Sequence, residues 1–468
     1  MRGLLVALLF GLVWPSSRAD TPATHEFRLS NGLRVIVQED HRAPVAVVQV
    51  WYRVGGGHEQ DGQTGISHVL EHLMFKRTRH LAPGEFSREV ARRGGRENAF
   101  TANDYTVYYQ HWAAEHVPES FRLEAERMQF LELREDEVRN ELKVIREERR
   151  LRVDDDPLAS AMETILASTW QTSPYRQPVI GWAADIEQLT VPEIEAWYQR
   201  HYVPANALVV VVGDVEPVRL RTLAEETFGK IPARAAPAPR RRPEVAQRGL
   251  KRLRIADPRL RVPMLMINYK VPGLTQVGNG RDAPEAWEIH ALEVLSALLD
   301  GGASARFPRE LVRGENGIAL SASISCSVVS RLPDLCSLQG VPRQGVSLKR
   351  FEAALLAHIA RLKKTPPAVD ELQRIKTGVI AEQVYQRDSP FGEAMVIGAL
   401  AAVGLDWRLK DHYVEAIEAV TPEQVSEVAR RYLRADRATI AWLEPAAEAP
   451  ATKAEPSRES TVPDGERP

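Results

Sequence analysis

With 468 residues, 26% charged and 44% hydrophobic side chains, the chain has the composition of an ordinary folded protein and length for two or three domains. That excludes fibrous and wholly disordered classes. A formal charge of −2 excludes a strongly basic surface, so neither nucleic acid nor an anionic membrane is an expected partner.

The chain opens with Met1–Arg2, an apolar run Leu4–Trp14 and small residues at Ser17 and Ala19. This is the three-part pattern of a secretory signal peptide, with cleavage expected after Ala19. The run is too short to span a bilayer, and no later stretch is long enough, so no stable membrane span is expected. The expectation is an exported protein, periplasmic or secreted. Past the leader, "SNG" at Ser30–Gly32 marks a turn between β-branched runs that read as paired strands.

A glycine-rich turn then leads into "TGISHVLEHLMF", Thr64–Phe75. If Gly65–Met74 is helical, His68 and His72 stand at i and i+4, so both imidazoles leave one face within reach of a single ion. Two neutral imidazoles suit Zn²⁺, and Glu71 projects beside them without taking a ligand position. The order is the reverse of His-Glu-x-x-His. A core helix with polar residues satisfied in other ways is the alternative, and a catalytic zinc would still need a third ligand. His111 and His116, five apart, diverge on a helix and read as structural or surface residues.

From about Pro118 to Arg152 the pattern is one long charged helical region. Within it Glu141 and Glu148 are seven apart and share a face, with Glu147 turned away; taken alone, such acids are usually solvated. Ala207–Val215 reads as a buried strand followed by a helix. The stretch Pro232–Arg248 loses all apolar period and reads as a linker, with the charged "RRRPE" of Arg240–Glu244 solvated within it. Beyond it strands and helices recur in similar order: strands in "RVPMLMINYKV", "GIALSASISCSVV" and "ATIAWLEP", with helices near Pro284–Gly302, Lys349–Lys364 and Val369–Gln386. Two similar tandem α+β domains joined by a linker follow. The expected spans are a signal peptide 1–19, an N-terminal domain 20–231, a linker 232–248, a C-terminal domain 249–445 and a disordered tail 446–468. Cys326 and Cys336, the only cysteines, flank a Pro-Asp turn and would face each other across a hairpin. A disulfide is favoured over two buried thiols, given an oxidising compartment.

The stretches "GQTGISHVLEHLMFKRT", "GGRENAFTANDYTVYY", "NELKVIREERRLRVDDDP" and "YVPANALVVVVGDV" together resemble the pitrilysin/insulinase family of zinc metallopeptidases. The resemblance covers about His25 to Glu444 and is closest in form to the branch of mitochondrial processing peptidase and its bacterial relatives. It implies that each domain is a mainly antiparallel sheet packed with helices, that the two form a clam-like cleft, and that the N-terminal domain is the zinc-binding peptidase domain and the C-terminal one a homologous non-metal domain. It implies one zinc ion held by His68, His72 and Glu148, with Glu71 as general base and Glu141 in a supporting catalytic role. It also implies an edge strand in which Asn98, Ala99 and Phe100 line the cleft and pair with an extended peptide substrate. In the second half Arg306 aligns with a substrate-binding arginine, but Leu320 stands where a tyrosine is expected. Another group substitutes, activity is weak, or a partner supplies the missing residue; a homodimer or a heterodimer with a paralogue carrying the arginine–tyrosine pair is the expectation. His290, with no second histidine at i+4, reads as structural. A zinc endopeptidase is the leading function, and a non-catalytic peptide-binding or assembly subunit is the alternative.

Overall fold

A computed structural model describes residues 23–238, 243–278, 280 and 283–446. The expected signal peptide and the tail beyond Ala446 lie outside these residues, as does Arg240–Arg242 of the linker. Two sheets organise the chain. The first contains β1 (Thr24–Arg28), β2 (Arg34–Glu39), β3 (Val45–Tyr52), β4 (Arg96–Thr101), β5 (Thr106–Ala113) and β6 (Ala207–Gly213), in the spatial order β1-β2-β6-β3-β5-β4. The second contains β7 (Lys251–Asp257), β8 (Met264–Val271), β9 (Ala319–Cys326), β10 (Asp334–Pro342) and β11 (Ala438–Pro445), in the order β7-β11-β8-β10-β9. Among the described residues only β2–β6 and β7–β11 pair in parallel, so the sheets are mainly antiparallel and helices cover them, as the α+β reading requires.

Each half buries its own core, and in addition each lends a helix to the other's sheet. Helix Pro390–Ala402, from the second half, lies on the outer face of the first sheet. There Ala394, Ile397 and Ala401 bury against Ile36, Trp51, Val107 and Val210. Gly398 allows the approach, because a Cβ there would come 2.1 Å from Trp51 Cε2. Reciprocally, helix Pro157–Thr169 from the first half lays Ala161 and Ile165 on Met266, Ala441 and Leu443 of the second sheet. Both helices start the same way: Asp156 or Ser389 caps the backbone ahead of a proline in the first turn, where its missing N–H costs nothing.

The Pro118–Arg152 region is not one helix but two, Val117–Phe130 and Glu135–Arg149, with Leu131–Arg134 between them. The acidic first turn Glu135–Glu137 marks the second start, which favours a helix N-terminus rather than a continuous helix interior. The linker is also less solvated than its composition implies. Glu244 is half-buried, accepts from the backbone N–H groups of Gln171, Thr172 and Ser173, and pairs with Lys270 Nζ at 2.5 Å. Burial opposes its ionisation, yet Lys270 and those three donors pull its pKa down to about 2.

Cys326 and Cys336 are bonded, directly opposite each other on β9 and β10. The hairpin tip they close reaches across to the first half. Arg331 donates its backbone N–H to Asp104 at 2.8 Å and an Nη2–H to the Gly57 carbonyl at 2.7 Å. Leu332 N–H donates to Tyr175 Oη at 3.1 Å, and that hydroxyl donates to Asp104 in turn.

Candidate active site

The helix carrying the histidine motif spans Ile66–Leu73. Its start is fixed by Gly65, whose φ of +86° favours glycine and whose Cβ, if present, would lie 2.6 Å from the Ile180 carbonyl. Glu59 caps this start from inside, accepting from Gly65 N–H at 2.7 Å and Ser67 N–H at 2.8 Å. Burial pushes the Glu59 carboxyl up to about 7, against those two donors. Val69, Leu70 and Leu73 enter the core, which leaves His68 and His72 together on the opposite side, their ring centroids 4.7 Å apart.

Helix Glu135–Arg149 delivers the acids. Glu148 Oε2 stands 3.3 Å from His72 Nε2 and 3.9 Å from His68 Nε2. One donor atom from each of His68, His72 and Glu148 lies within 4.8 Å of the others, the only such His/Cys/Asp/Glu group among the described residues. Two turns back, Glu141 Oε1 is 2.9 Å from His72 Nδ1, and its other oxygen accepts from Lys76 Nζ at 2.6 Å. With Nδ1 engaged, His72 presents Nε2 to the centre, the arrangement that orients a metal-bound imidazole. Glu147 faces out and pairs with Arg150.

The electrostatics suit a metal. Burial, with help from neighbouring His72 and Arg152, pulls His68 down to about 3, so it is a neutral donor at physiological pH. Its Nδ1 is buried without a hydrogen-bond partner. Burial also opposes charge on His72, but the hydrogen bond to Glu141 and the charges of Glu148 and Glu141 prevail and raise its pKa. Glu141 is lowered despite burial, by His72 and Lys76. Two imidazoles and one carboxylate converging from half-buried positions are the donor set of a zinc site with a position left for water.

Glu71 lies beside this group. Thr101 Oγ1, at the end of β4, donates to Glu71 Oε2 at 2.5 Å, and burial raises the Glu71 pKa. β4 is the outermost strand of the first sheet and pairs only with β5, placing Asn98 opposite Tyr109, Ala99 opposite Tyr108 and Phe100 opposite Val107. Its other edge has no strand partner among the described residues. Sequence reasoning missed three contacts: Thr101 on Glu71, Lys76 on Glu141, and Arg152 on Glu148 at 2.7 Å. Arg152 stands four residues after Glu148, so helical spacing was the available signal there, whereas Lys76 and Glu141 are far apart in sequence and spacing does not connect them. Thr101 had no signal short of the strand register.

Arg306 is the exception among the expected site residues. Its side chain is buried, and Glu371 takes it bidentately, at 3.0 Å through Nε and 2.6 Å through Nη2. It therefore braces the second half internally instead of presenting a free guanidinium to a substrate. Leu320 is 59% exposed. His290 Nδ1 is 3.1 Å from Glu293 Oε2 on its own helix, consistent with a structural role.

Comparison with known proteins places this geometry in a family. The profile described as Insulinase (Peptidase family M16) matches residues 34–182, and that described as Peptidase M16 inactive domain matches 188–379. The chain is 29% identical to the zinc protease PqqE of Helicobacter pylori over 428 residues, covering 91% of this chain and 93% of that protein. It is 27% identical to the mitochondrial-processing peptidase subunit beta of Blastocladiella emersonii over 219 residues, 47% of each chain. The crystal structure of a protease from Helicobacter pylori superposes with a TM-score of 0.83 at 28% identity, covering 91% of this chain and all (100%) of that one. A Pseudomonas fluorescens structure titled peptidase M16 inactive domain shares the fold at 16% identity, with a TM-score of 0.78 over 91% of this chain and 98% of its own. The two matched regions, the named zinc proteases and the His68–His72–Glu148 cluster agree: this chain belongs to the insulinase family of zinc metallopeptidases, peptidase family M16.

Proposed function

We propose that the protein is an exported zinc endopeptidase that cleaves extended peptides or unfolded polypeptides. The observation that carries the reading is the convergence of His68, His72 and Glu148 beside Glu71 and an open strand edge. These three residues would hold one zinc ion, which when bound supplies Lewis acidity that polarises the scissile carbonyl and makes water a stronger acid. Glu71 takes the proton from the attacking water and passes it to the leaving nitrogen. Thr101 holds the Glu71 carboxylate in one orientation, and Glu141 holds the His72 ring. The exposed edge of β4 pairs with the substrate backbone, which selects extended chains over folded ones. The Cys326–Cys336 bond supports an oxidising, extracytoplasmic compartment. Purified protein is expected to contain stoichiometric zinc, to cleave a quenched peptide, and to lose that activity to a chelator. Metal-free protein with chelator-insensitive activity would overturn the proposal. N-terminal sequencing of the exported form should begin at Asp20.

A second reading concerns the quaternary state. Leu320 has no hydroxyl, and Arg306 is engaged by Glu371, so the second half offers neither of the two donors that the resemblance leads one to expect across the cleft. An oxyanion donor is worth a factor of about 10²–10³. The proposed remedy is a paralogous partner that carries an arginine–tyrosine pair. Full peptidase activity from this chain purified alone would count against that partner and leave the zinc assignment standing.

A further inference from the structure

A cavity of about 300 Å³ lies where the first half, the linker and the tip of the Cys326–Cys336 hairpin meet, and it shares no lining residue with the metal group. Arg53, just past β3, and Arg200, near the end of helix Val191–His201, line it, with Arg331 entering from the second half. Neither Arg53 nor Arg200 has a carboxylate partner among the described residues, although arginines elsewhere in the chain are widely paired with acids. Arg53 gives only its Nε–H, to the Ala402 carbonyl. Arg28 and Arg34 add positive potential and, after burial, help to lower the Arg53 pKa.

The lining contains a single carboxylate. Its one acid, Asp104, already takes both Tyr175 Oη–H and two donors from Arg331. Trp197, 6% exposed, lines the same space, and its indole N–H is buried with no hydrogen-bond partner. A buried N–H without an acceptor carries a desolvation cost that an occupant able to accept would remove. Trp197 and Arg200 are three apart on one helix and so share a face. Ala236–Ala238 of the linker close another side.

We propose that this junction cavity is a binding site for a small oxyanion, a phosphate or sulfate group or a carboxylate, held by Arg53, Arg200 and the Trp197 indole N–H. Charge-assisted bonds to oxygen are the strong ones, and the guanidinium fork matches planar and tetrahedral oxyanions alike. The volume exceeds that of a bare phosphate and admits a short organic carrier, at the small end of ligand sites. Because Arg331 and the linker form part of the wall, an occupant would touch both halves of the molecule at once. The site goes beyond the peptidase reading and does not depend on it.

The test uses the full purified chain, titrated with sodium phosphate, sulfate and acetate at constant ionic strength. Tryptophan fluorescence and thermal midpoint are the readouts. Saturable responses are expected with at least one anion. A preference for phosphate and sulfate would identify a tetrahedral ligand, and a preference for acetate a carboxylate. Arg53→Met and Arg200→Met, both at solvent-reaching positions, should each raise the half-saturation concentration about tenfold, the effect of losing one charge-assisted bond. Trp197→Phe should weaken binding severalfold while keeping the ring. His72→Ala, which disables the metal group, should leave the response unchanged. No saturable response up to about 20 mM, where even a millimolar site is filled, would overturn the proposal. So would a response indifferent to both arginine substitutions, or one lost in His72→Ala.

Discussion

The two halves carry the same phrase with two changes, Val69 to Ala291 and His72 to Val294. In the first, His68-Val-Leu-Glu71-His72 opens the metal helix; in the second, His290-Ala-Leu-Glu293-Val294 lies on helix Ala286–Asp300. In each half a strand precedes the helix, and a long helix follows later, then a capped proline and the crossing helix. In the first half His72 meets Glu148 and Glu141. In the second Val294 is fully buried, and Glu293 is engaged by His290 and by Tyr413. The fold therefore does not need the metal: the second half builds a comparable scaffold on an apolar residue. What the first half adds to that scaffold is a second imidazole, His72, and two acids seven residues apart, Glu141 and Glu148.

The largest expected effect comes from making the first half resemble the second. His72→Val should leave the fold intact, abolish zinc in metal analysis and reduce peptide hydrolysis to the level of chelated enzyme. Retained zinc would show that the cluster is not the metal site. Glu71→Gln should keep the zinc and lower kcat by about 10²–10⁴, the usual worth of a general base; an unchanged kcat would remove Glu71 from the mechanism. Glu141→Gln, which weakens the support behind His72, should lower metal affinity about 10–100-fold in a chelator competition.

Buried Glu59 sharpens the comparison, since it caps the metal helix alone. Its folded pKa, about 7, lies above the unfolded value of about 4.3. Below the lower value both states are protonated and the contribution is full. As pH rises towards 7 the unfolded state gives up its proton first, so stability falls by an amount on the order of 3 kcal/mol. Urea unfolding between those pH values should show this slope, and Glu59→Gln should flatten it. The smallest effect is expected at Glu147, whose pair with Arg150 is exposed. Glu147→Gln should change stability by less than about 0.5 kcal/mol and leave zinc content unaltered.

Much of this was legible in sequence because short-range periodicity carried it. The i, i+4 histidines and the seven-spaced acids fall on helix faces whatever the rest of the chain does. Cys326 and Cys336 sit across a hairpin whose turn was marked by Pro333–Asp334. The helical break at Leu131–Arg134 was hidden by a continuous run of charged, helix-favouring residues. The crossing helices were hidden for a different reason. Pro390–Ala402 is buried on many sides, with Glu393 neutralised by Arg387 and Lys410, so it lacks the one-sided pattern that identifies an amphipathic helix. Arg306 aligned by neighbourhood, yet its partner Glu371 lies 65 residues away, a distance that single-sequence spacing does not bridge.

The crossed helices also set a timetable for biosynthesis. The first sheet is complete in sequence once Gly213 has been made, but the helix that covers its outer face ends at Ala402. At about 5–20 residues per second, the 189 residues between them take roughly 10–40 s to emerge from a ribosome. Throughout that interval Ile36, Trp51 and Val210 have no permanent cover. A nascent first half thus presents an uncovered apolar face of the kind chaperones hold, and the finished fold waits for the far end of the chain.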